Sequence, residues 1–164
     1  MQNFRLICLL LLLFSNLVSA NNNQENNPDK VEVMVNGEYL IGQFTDETKS
    51  IAVFKGIPFA APPTGQLRWQ APVPHQVRKG QQIATKFAAG CYQDSYNTNW
   101  YKSVGSAFGA SAKEFQDPPF SEDCLYLNIW TASLEKKEKL PVMIWLHGGS
   151  NKAGWSFEDN YLGD

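Results

Sequence analysis

Alternating apolar and polar positions near residue 30 predict β-structure. The segment 31–35 carries valine at every second position, and the segment 38–44 is again rich in strand-forming residues. Asn36 and Gly37 lie between them. A type I′ turn needs positive φ at both central residues, so this pair predicts a β-hairpin. Residues 51–54 predict a further short strand.

Two later apolar segments also predict strands. Residues 125–130 read Leu-Tyr-Leu-Asn-Ile-Trp, and residues 140–146 read Leu-Pro-Val-Met-Ile-Trp-Leu. Because the second segment is apolar without alternation, it predicts a strand that is buried on both faces. It runs directly into His147-Gly148-Gly149-Ser150, while the charged residues 135–139 before it predict a solvated turn.

The rest of the chain predicts little regular structure. Three prolines and a glycine within 58–65 exclude a helix there, so we expect the stretch 56–69 to be ordered but extended. Residues 83–87 predict a short helix. The stretch 92–120 is rich in serine, asparagine, glycine and alanine, and we interpret it as a loop.

The first twenty residues have the order of a secretory signal peptide. A short start with Arg5 precedes the apolar run 6–14, and Val-Ser-Ala at 18–20 forms a small-residue cleavage pattern. The alternative is a membrane anchor, but a bilayer span needs about 20 apolar residues. We therefore predict a cleaved signal peptide at residues 1–20 and a disordered, asparagine-rich lead-in at residues 21–30. The chain is then exported, either secreted or periplasmic, with no stable membrane span.

Charge and composition exclude one class of partner. The chain has 14 Lys and Arg against 16 Asp and Glu, a formal net charge of −2, and 43% hydrophobic residues. A protein that binds nucleic acid by neutralising phosphates needs a basic face, and little material for one is present. The composition is that of a globular protein, so we expect no nucleic-acid partner.

The cysteines are consistent with export. Cys8 would leave with the signal peptide, and Cys91 and Cys124 would remain as a pair suited to an oxidising compartment. Two free buried thiols, or a thiol pair on a metal, are the alternatives. Only His75 and His147 could add imidazole ligands, so a metal site is weakly supported, and we expect neither a metal nor a cofactor.

A strand that ends in His147-Gly148-Gly149 suggests main-chain chemistry. Glycines let backbone N–H groups approach a ligand closely. Fixed N–H donors of this kind stabilise an oxyanion, and each is worth about 3–4 kcal/mol in catalysis. The alternative for these three residues alone is an ordinary tight turn.

Three motifs in order resemble the type-B carboxylesterases, the cholinesterase-like branch of the α/β-hydrolase superfamily. The residues that carry the resemblance lie at 53–69 (Val-Phe-Lys-Gly-Ile-Pro-Phe-Ala through Leu67-Arg68-Trp69), 121–130 (Ser-Glu-Asp-Cys-Leu-Tyr-Leu-Asn-Ile-Trp) and 141–149 (Pro-Val-Met-Ile-Trp-Leu-His-Gly-Gly). The last motif resembles the strand that enters the oxyanion loop of esterases and lipases. The resemblance covers residues 31–164. It implies an α/β fold made of the N-terminal part of an α/β-hydrolase, with a small hairpin sheet and the first strands of the central sheet.

The resemblance also implies roles for particular residues. Cys124 would bridge to Cys91, and Arg68 would pair with Glu122. The oxyanion hole would be formed by Gly148, Gly149 and Ser150, with the N–H groups of Gly149 and Ser150 as donors. The family has a third glycine where this chain has Ser150, and a serine held at positive φ costs about 1–3 kcal/mol.

No nucleophile motif accompanies this loop. Ser111 and Ser156 both follow a glycine by two residues but lack the closing glycine of Gly-X-Ser-X-Gly, so we predict no catalytic residue in this chain. The implied function is that of an N-terminal portion of a secreted serine carboxylesterase that hydrolyses small-molecule esters and is inactive alone. A non-catalytic adhesion or binding relative, or a truncated remnant, remains the alternative.

Overall fold

The computed structural model describes residues 29–45, 47–77 and 80–158, and the predicted signal peptide and most of the lead-in lie outside these ranges. A five-stranded sheet consists of β1 (Lys30–Val35), β2 (Glu38–Phe44), β3 (Ala52–Pro58) and β7 (Tyr126–Thr131), paired in that order, and β4 (Gln81–Ile83), which also pairs with β2. β1 (Lys30–Val35) and β2 (Glu38–Phe44) are antiparallel, with Val35 opposite Glu38. The strand therefore begins one residue inside the segment that we expected to be disordered.

The predicted hairpin is confirmed at its turn. Asn36 has φ 51° and Gly37 has φ 86°, so both central residues are left-handed, as a type I′ turn requires. The right-handed twist of the flanking strands is compatible with this turn, and the register follows from it. The hairpin thus forms for the local reason that its sequence indicates.

β3 (Ala52–Pro58) lies inside the sheet, between β2 and β7 (Tyr126–Thr131), which is the last strand of the order. β3 and β7 are antiparallel, and their pairing shifts register between Phe54 and Ile57. Both strands were predicted, and β3 extends farther than expected. Val53 in β3 is 1% exposed. The hydrophobic core is formed by residues of β1, β2 and β3 together with Ala84. It consists of Val31, Leu40, Ala52, Phe54 and Ala84, with Val33, Phe44 and Ile57 packed against it.

The helix predicted at 83–87 is wrong. The structure has β4 (Gln81–Ile83) there, parallel to β2, and Ala84 is fully buried. The N–H of Ala84 donates to the carbonyl of Ile41 and its carbonyl accepts from Lys55, both at 2.7 Å. Backbone groups committed to neighbours on both sides cannot form helical hydrogen bonds, so tertiary pairing overrides the local preference.

The loop predicted across 92–120 is also partly wrong, because it contains the helix α1 (Tyr96–Ala107). Serine, asparagine, threonine and glycine are weak helix formers, so tertiary contacts must stabilise it. Thr98 is 1% exposed and Asn97 is buried.

Short 3₁₀ turns lie at Gly65–Leu67 and Ala112–Glu114, and the two-residue strands β5 (Gly90–Cys91) and β6 (Phe120–Ser121) pair in parallel.

The strand predicted at 140–146 is not present, and the residues of this segment are exposed rather than buried. No strand is assigned there among the described residues, and the apolar side chains face solvent, with Met143 95% exposed. A strand buried on both faces needs hydrogen-bonding neighbours and covering layers, and the described residues supply neither. The charged segment before it forms an exposed turn, as predicted.

Candidate functional site

The segment after the 140–146 stretch forms a compact loop, which we call the glycine loop and define as residues 147–154. The carbonyl of Gly149 accepts from the N–H of Lys152 at 2.9 Å and from the N–H of Ala153 at 3.2 Å. Gly149 has φ 118°, Ser150 57° and Asn151 56°. Three successive residues with positive φ turn the chain back sharply toward Ala153.

Two positions in the glycine loop have no room for a side chain. A Cβ on Gly149 would overlap the carbonyl oxygen of Ala153. A Cβ on Gly154, which has φ 129°, would overlap the imidazole of His147 and lie 2.5 Å from the carbonyl oxygen of Gly148. In contrast, nothing lies within 4 Å of a Cβ on Gly148. Backbone packing therefore explains two of the three glycines.

Ser150, which stands where the family has a third glycine, has a left-handed backbone conformation. Its φ of 57° is unfavourable for a residue with a Cβ and costs about 1–3 kcal/mol. The backbone N–H is nevertheless retained. The substitution thus keeps the donor and adds strain to the loop.

The N–H groups at the predicted oxyanion positions are available to a ligand. No residue in the described part of the chain accepts a hydrogen bond from the N–H of Gly148, Gly149 or Ser150. Gly149 is half-buried and its two neighbours are exposed. Unpaired backbone donors held in a tight loop are the physical requirement for stabilising an oxyanion.

The exit from the glycine loop is fixed by Gln93. The side-chain amide of Gln93 donates to the carbonyls of Cys91 at 3.0 Å and Gly154 at 2.9 Å, and its oxygen accepts from the N–H of Gly154 at 2.5 Å. One side chain therefore binds both backbone groups of a buried glycine. No role for Gln93 was predicted from the sequence, although Gln93 follows Cys91, a predicted disulfide cysteine, by two residues.

A buried carboxylate holds the residues that follow the loop. Glu158 is 4% exposed and accepts from the side-chain amide of Asn97 at 3.2 Å, from the hydroxyl of Tyr101 and from the N–H of Trp155 at 3.4 Å. A cavity of about 140 Å³ lies beside it, lined in part by Phe115. Nothing in the sequence around Glu158 predicted this burial, because its two side-chain partners, Asn97 and Tyr101, are about sixty residues away.

The same segment is connected to the sheet. Asn128 in β7 accepts from the N–H of Gly56 at 2.9 Å and donates to the hydroxyl of Ser156 at 3.0 Å. The rings of Phe87 and Phe157 stack at 5.0 Å between centroids. The glycine loop is thus held by contacts beyond its carboxyl end.

The two pairings that the resemblance implied are both present. Cys91 and Cys124 form a disulfide with an S–S distance of 2.00 Å. Arg68 Nη2 lies 3.0 Å from Glu122 Oε1, with side-chain exposures of 54% and 40%. An ion pair this exposed contributes about 0–1 kcal/mol. Because Glu122 lies two residues before Cys124, the ion pair connects the proline-rich segment to the disulfide.

The two histidines have different surroundings. His147 Nδ1 lies 2.9 Å from the carbonyl oxygen of Gly148, within the glycine loop. His75 Nε2 is buried and has no hydrogen-bond partner in the described structure. Across the described ranges, no group of three or more His, Cys, Asp or Glu side chains is placed to hold a metal ion.

One carboxyl near the site has a shifted pKa. Hydrogen bonds from Ser95 at 2.6 Å and Thr98 at 2.5 Å, together with the charge of Lys102, hold the pKa of Asp117 below its usual value of 3.8, although desolvation opposes them. Ser95 immediately precedes α1, and Thr98 lies in its first turn. Asp117 therefore ties the helix to the segment between α1 and β6.

Comparison with known proteins defines the class. The model of the carboxylesterase family matches residues 30–163. Carboxylesterase 1E of Mus musculus is 40% identical over 122 residues, which is 74% of this chain and 21% of that protein. The medium-chain fatty acyl-CoA hydrolase precursor of Anas platyrhynchos is 40% identical over 107 residues, covering 65% of this chain and 18% of that protein. Among solved structures, a thermophilic pNB esterase matches with TM-score 0.59 and 32% identity over 75% of this chain and 22% of that chain.

The chain belongs to the carboxylesterase family, and its fold is that of part of an α/β-hydrolase. It spans about a fifth of the length of the curated relatives that it matches. Within the ranges that the structure describes, no helix is both long enough and apolar enough to cross a membrane.

Proposed function

We propose that this chain supplies the oxyanion-hole portion of a secreted serine carboxylesterase. The observation that carries the proposal is that the N–H donors at Gly148, Gly149 and Ser150 have no acceptor among the described residues, in a loop whose backbone is packed tightly at both ends. In acyl transfer, a serine attacks the ester carbonyl and the carbonyl oxygen becomes negative. Donors aimed at that oxygen lower the barrier because the charge develops only in the transition state.

The reacting groups would come from polypeptide beyond this sequence. No Gly-X-Ser-X-Gly is present, and neither histidine is placed beside a serine nucleophile. The roles of the chain are therefore to hold the substrate's carbonyl oxygen and to carry the disulfide that supports the loop. The substrate class is small-molecule carboxylic esters, and residues 1–20 would direct export.

The proposal is tested with the longest protein that the gene encodes. We expect an in-frame Gly-X-Ser-X-Gly downstream of residue 164 and hydrolysis of p-nitrophenyl butyrate that a serine-reactive phosphonate abolishes. The 164-residue chain assayed alone should give no turnover above the buffer rate. A continuing fold without a serine nucleophile and without turnover would refute the esterase proposal and support a non-catalytic binding protein.

A further inference from the structure

The side chain of Gln93 makes three hydrogen bonds and connects two segments that are 61 residues apart in sequence. Its carbonyl oxygen and its amide group bind the N–H and the C=O of the same residue, Gly154. A side chain that binds both polar groups of one residue restricts its translation and its rotation. Because Gly154 is buried, breaking these bonds would leave backbone groups unpaired, at a free-energy cost comparable to a lost hydrogen bond for each.

Gly154 in turn presses on the part of the glycine loop that carries the free donors. There is no room for even one methyl group between Gly154 and the His147–Gly148 segment. Packing this close transmits a displacement of Gly154 to the peptide that precedes Gly149. A shift in Gly154 would therefore change the direction of the N–H groups at Gly149 and Ser150.

The third hydrogen bond of Gln93, to the carbonyl of Cys91, fixes the other end of this connection. Cys91 is held by the disulfide to Cys124 and by the pairing of β5 with β6. The disulfide is thus connected to Gln93, Gln93 to Gly154, and Gly154 to the His147–Gly148 segment of the glycine loop. Every step is a hydrogen bond, a covalent bond or a contact without free space.

We propose that Gln93 is a positioning residue that sets the orientation of the oxyanion donors. This inference rests on the proposed function, because it assigns Gln93 a role in catalysis through the glycine loop. Gln93 does not touch the substrate. Its removal would alter where the donors point when the carbonyl oxygen becomes negative, which affects the chemical step more than ground-state binding.

The first test measures the loop without catalysis. Trypsin cleaves after Lys152, which is exposed in the glycine loop, and mass spectrometry follows the product that ends there. We expect Gln93→Met, which keeps the approximate shape but removes the hydrogen bonds, to raise the cleavage rate at least about fivefold, since looser loops are cut faster. Gln116→Met is the matched control, because Gln116 also binds a backbone carbonyl, that of Lys113 at 2.9 Å, but has no hydrogen bond to the glycine loop in the described structure.

The second test measures catalysis in a chimera in which residues 30–158 replace the matching segment of one of the mouse carboxylesterases. Because Gln93→Met should misplace the oxyanion donors, we expect it to lower kcat about tenfold or more while KM changes less than twofold. Gln116→Met should change neither. Gln93→Glu, which keeps the acceptor for the N–H of Gly154 but loses both donated bonds, is the second variant if circular dichroism shows that Gln93→Met unfolds.

The outcomes separate this inference from the proposed function. A folded chimera with no turnover refutes the proposed function, while the cleavage rates still decide whether Gln93 holds the loop. An active chimera in which Gln93→Met behaves like Gln116→Met overturns the positioning role alone. Faster cleavage with unchanged kcat, or lower kcat with unchanged cleavage, also overturns it, because the two effects must arise together.

Discussion

The packing of the glycine loop can be tested by substituting two adjacent glycines, because we expect alanine to disrupt the loop at one position and to be tolerated at the other. Gly149→Ala would put a methyl group into the carbonyl oxygen of Ala153, at a φ of 118° that residues with a side chain rarely adopt. Gly148→Ala would place its methyl group in open space, and its φ is not positive. The first variant cannot keep the observed backbone, whereas the second can.

The magnitude follows from what Gly149→Ala must give up. The backbone strain is about 1–3 kcal/mol. The two hydrogen bonds that the carbonyl of Gly149 accepts from Lys152 and Ala153 are worth about 1 kcal/mol each, so the loss is roughly 3–5 kcal/mol in the folded loop. Because 1.4 kcal/mol corresponds to a factor of about ten, a loss of roughly 3 kcal/mol or more should lower the protection of those two amides at least about a hundredfold.

Amide hydrogen exchange of Lys152 and Ala153, measured by NMR in the purified chain, provides the assay. We expect Gly149→Ala to remove the protection of both amides and Gly148→Ala to preserve it. Exchange at Ala84, which hydrogen-bonds to Ile41 within the sheet, serves as the internal reference for global unfolding. If Gly149→Ala kept its protection, or if Gly148→Ala lost as much, the packing argument for the glycine loop would be refuted.

Three further predictions concern the surroundings of the loop. Cys124→Ala removes a disulfide between residues 33 apart and should lower the free energy of unfolding in urea; the chain-entropy model gives up to about 3.7 kcal/mol, and an unchanged midpoint would contradict it. Arg68→Met should cost no more than about 1 kcal/mol and less at high salt, so a larger or salt-independent loss in the same assay would argue against a screened pair. The pKa of Asp117 is lowered in the folded state, so its stabilisation is present above the unfolded pKa of 3.8 and is lost as the pH falls through the lower folded value. Helical circular dichroism should therefore be less acid-sensitive in Asp117→Asn, and identical acid profiles would refute this.

The elements that the sequence predicted well are those with a local cause. The turn at Asn36-Gly37 requires two left-handed residues and has them, so the hairpin follows from the dipeptide and the alternation around it. The motif resemblance was equally informative about pairings, since the disulfide and the Arg68–Glu122 contact both occur.

The errors arise where distant residues decide the structure. The stretch 83–87 is extended because Ala84 bonds to strands on both sides, and α1 is held by burial of Thr98 rather than by helix propensity. One local signal for α1 was nonetheless present, since Tyr96, Trp100 and Val104 recur at a spacing of four. The role of Gln93 required knowing that Gly154 lies beside it.

The close packing at the two ends of the glycine loop also limits how the loop can diversify. Gly149 and Gly154 each press on main-chain or imidazole atoms, so neither can be enlarged, and the span between them cannot be lengthened without separating those contacts. Ser150, Asn151 and Lys152 are exposed. A mutagenesis library aimed at varying the glycine loop should therefore randomise those three positions, with residues tolerant of positive φ at the first two, and leave the flanking glycines untouched.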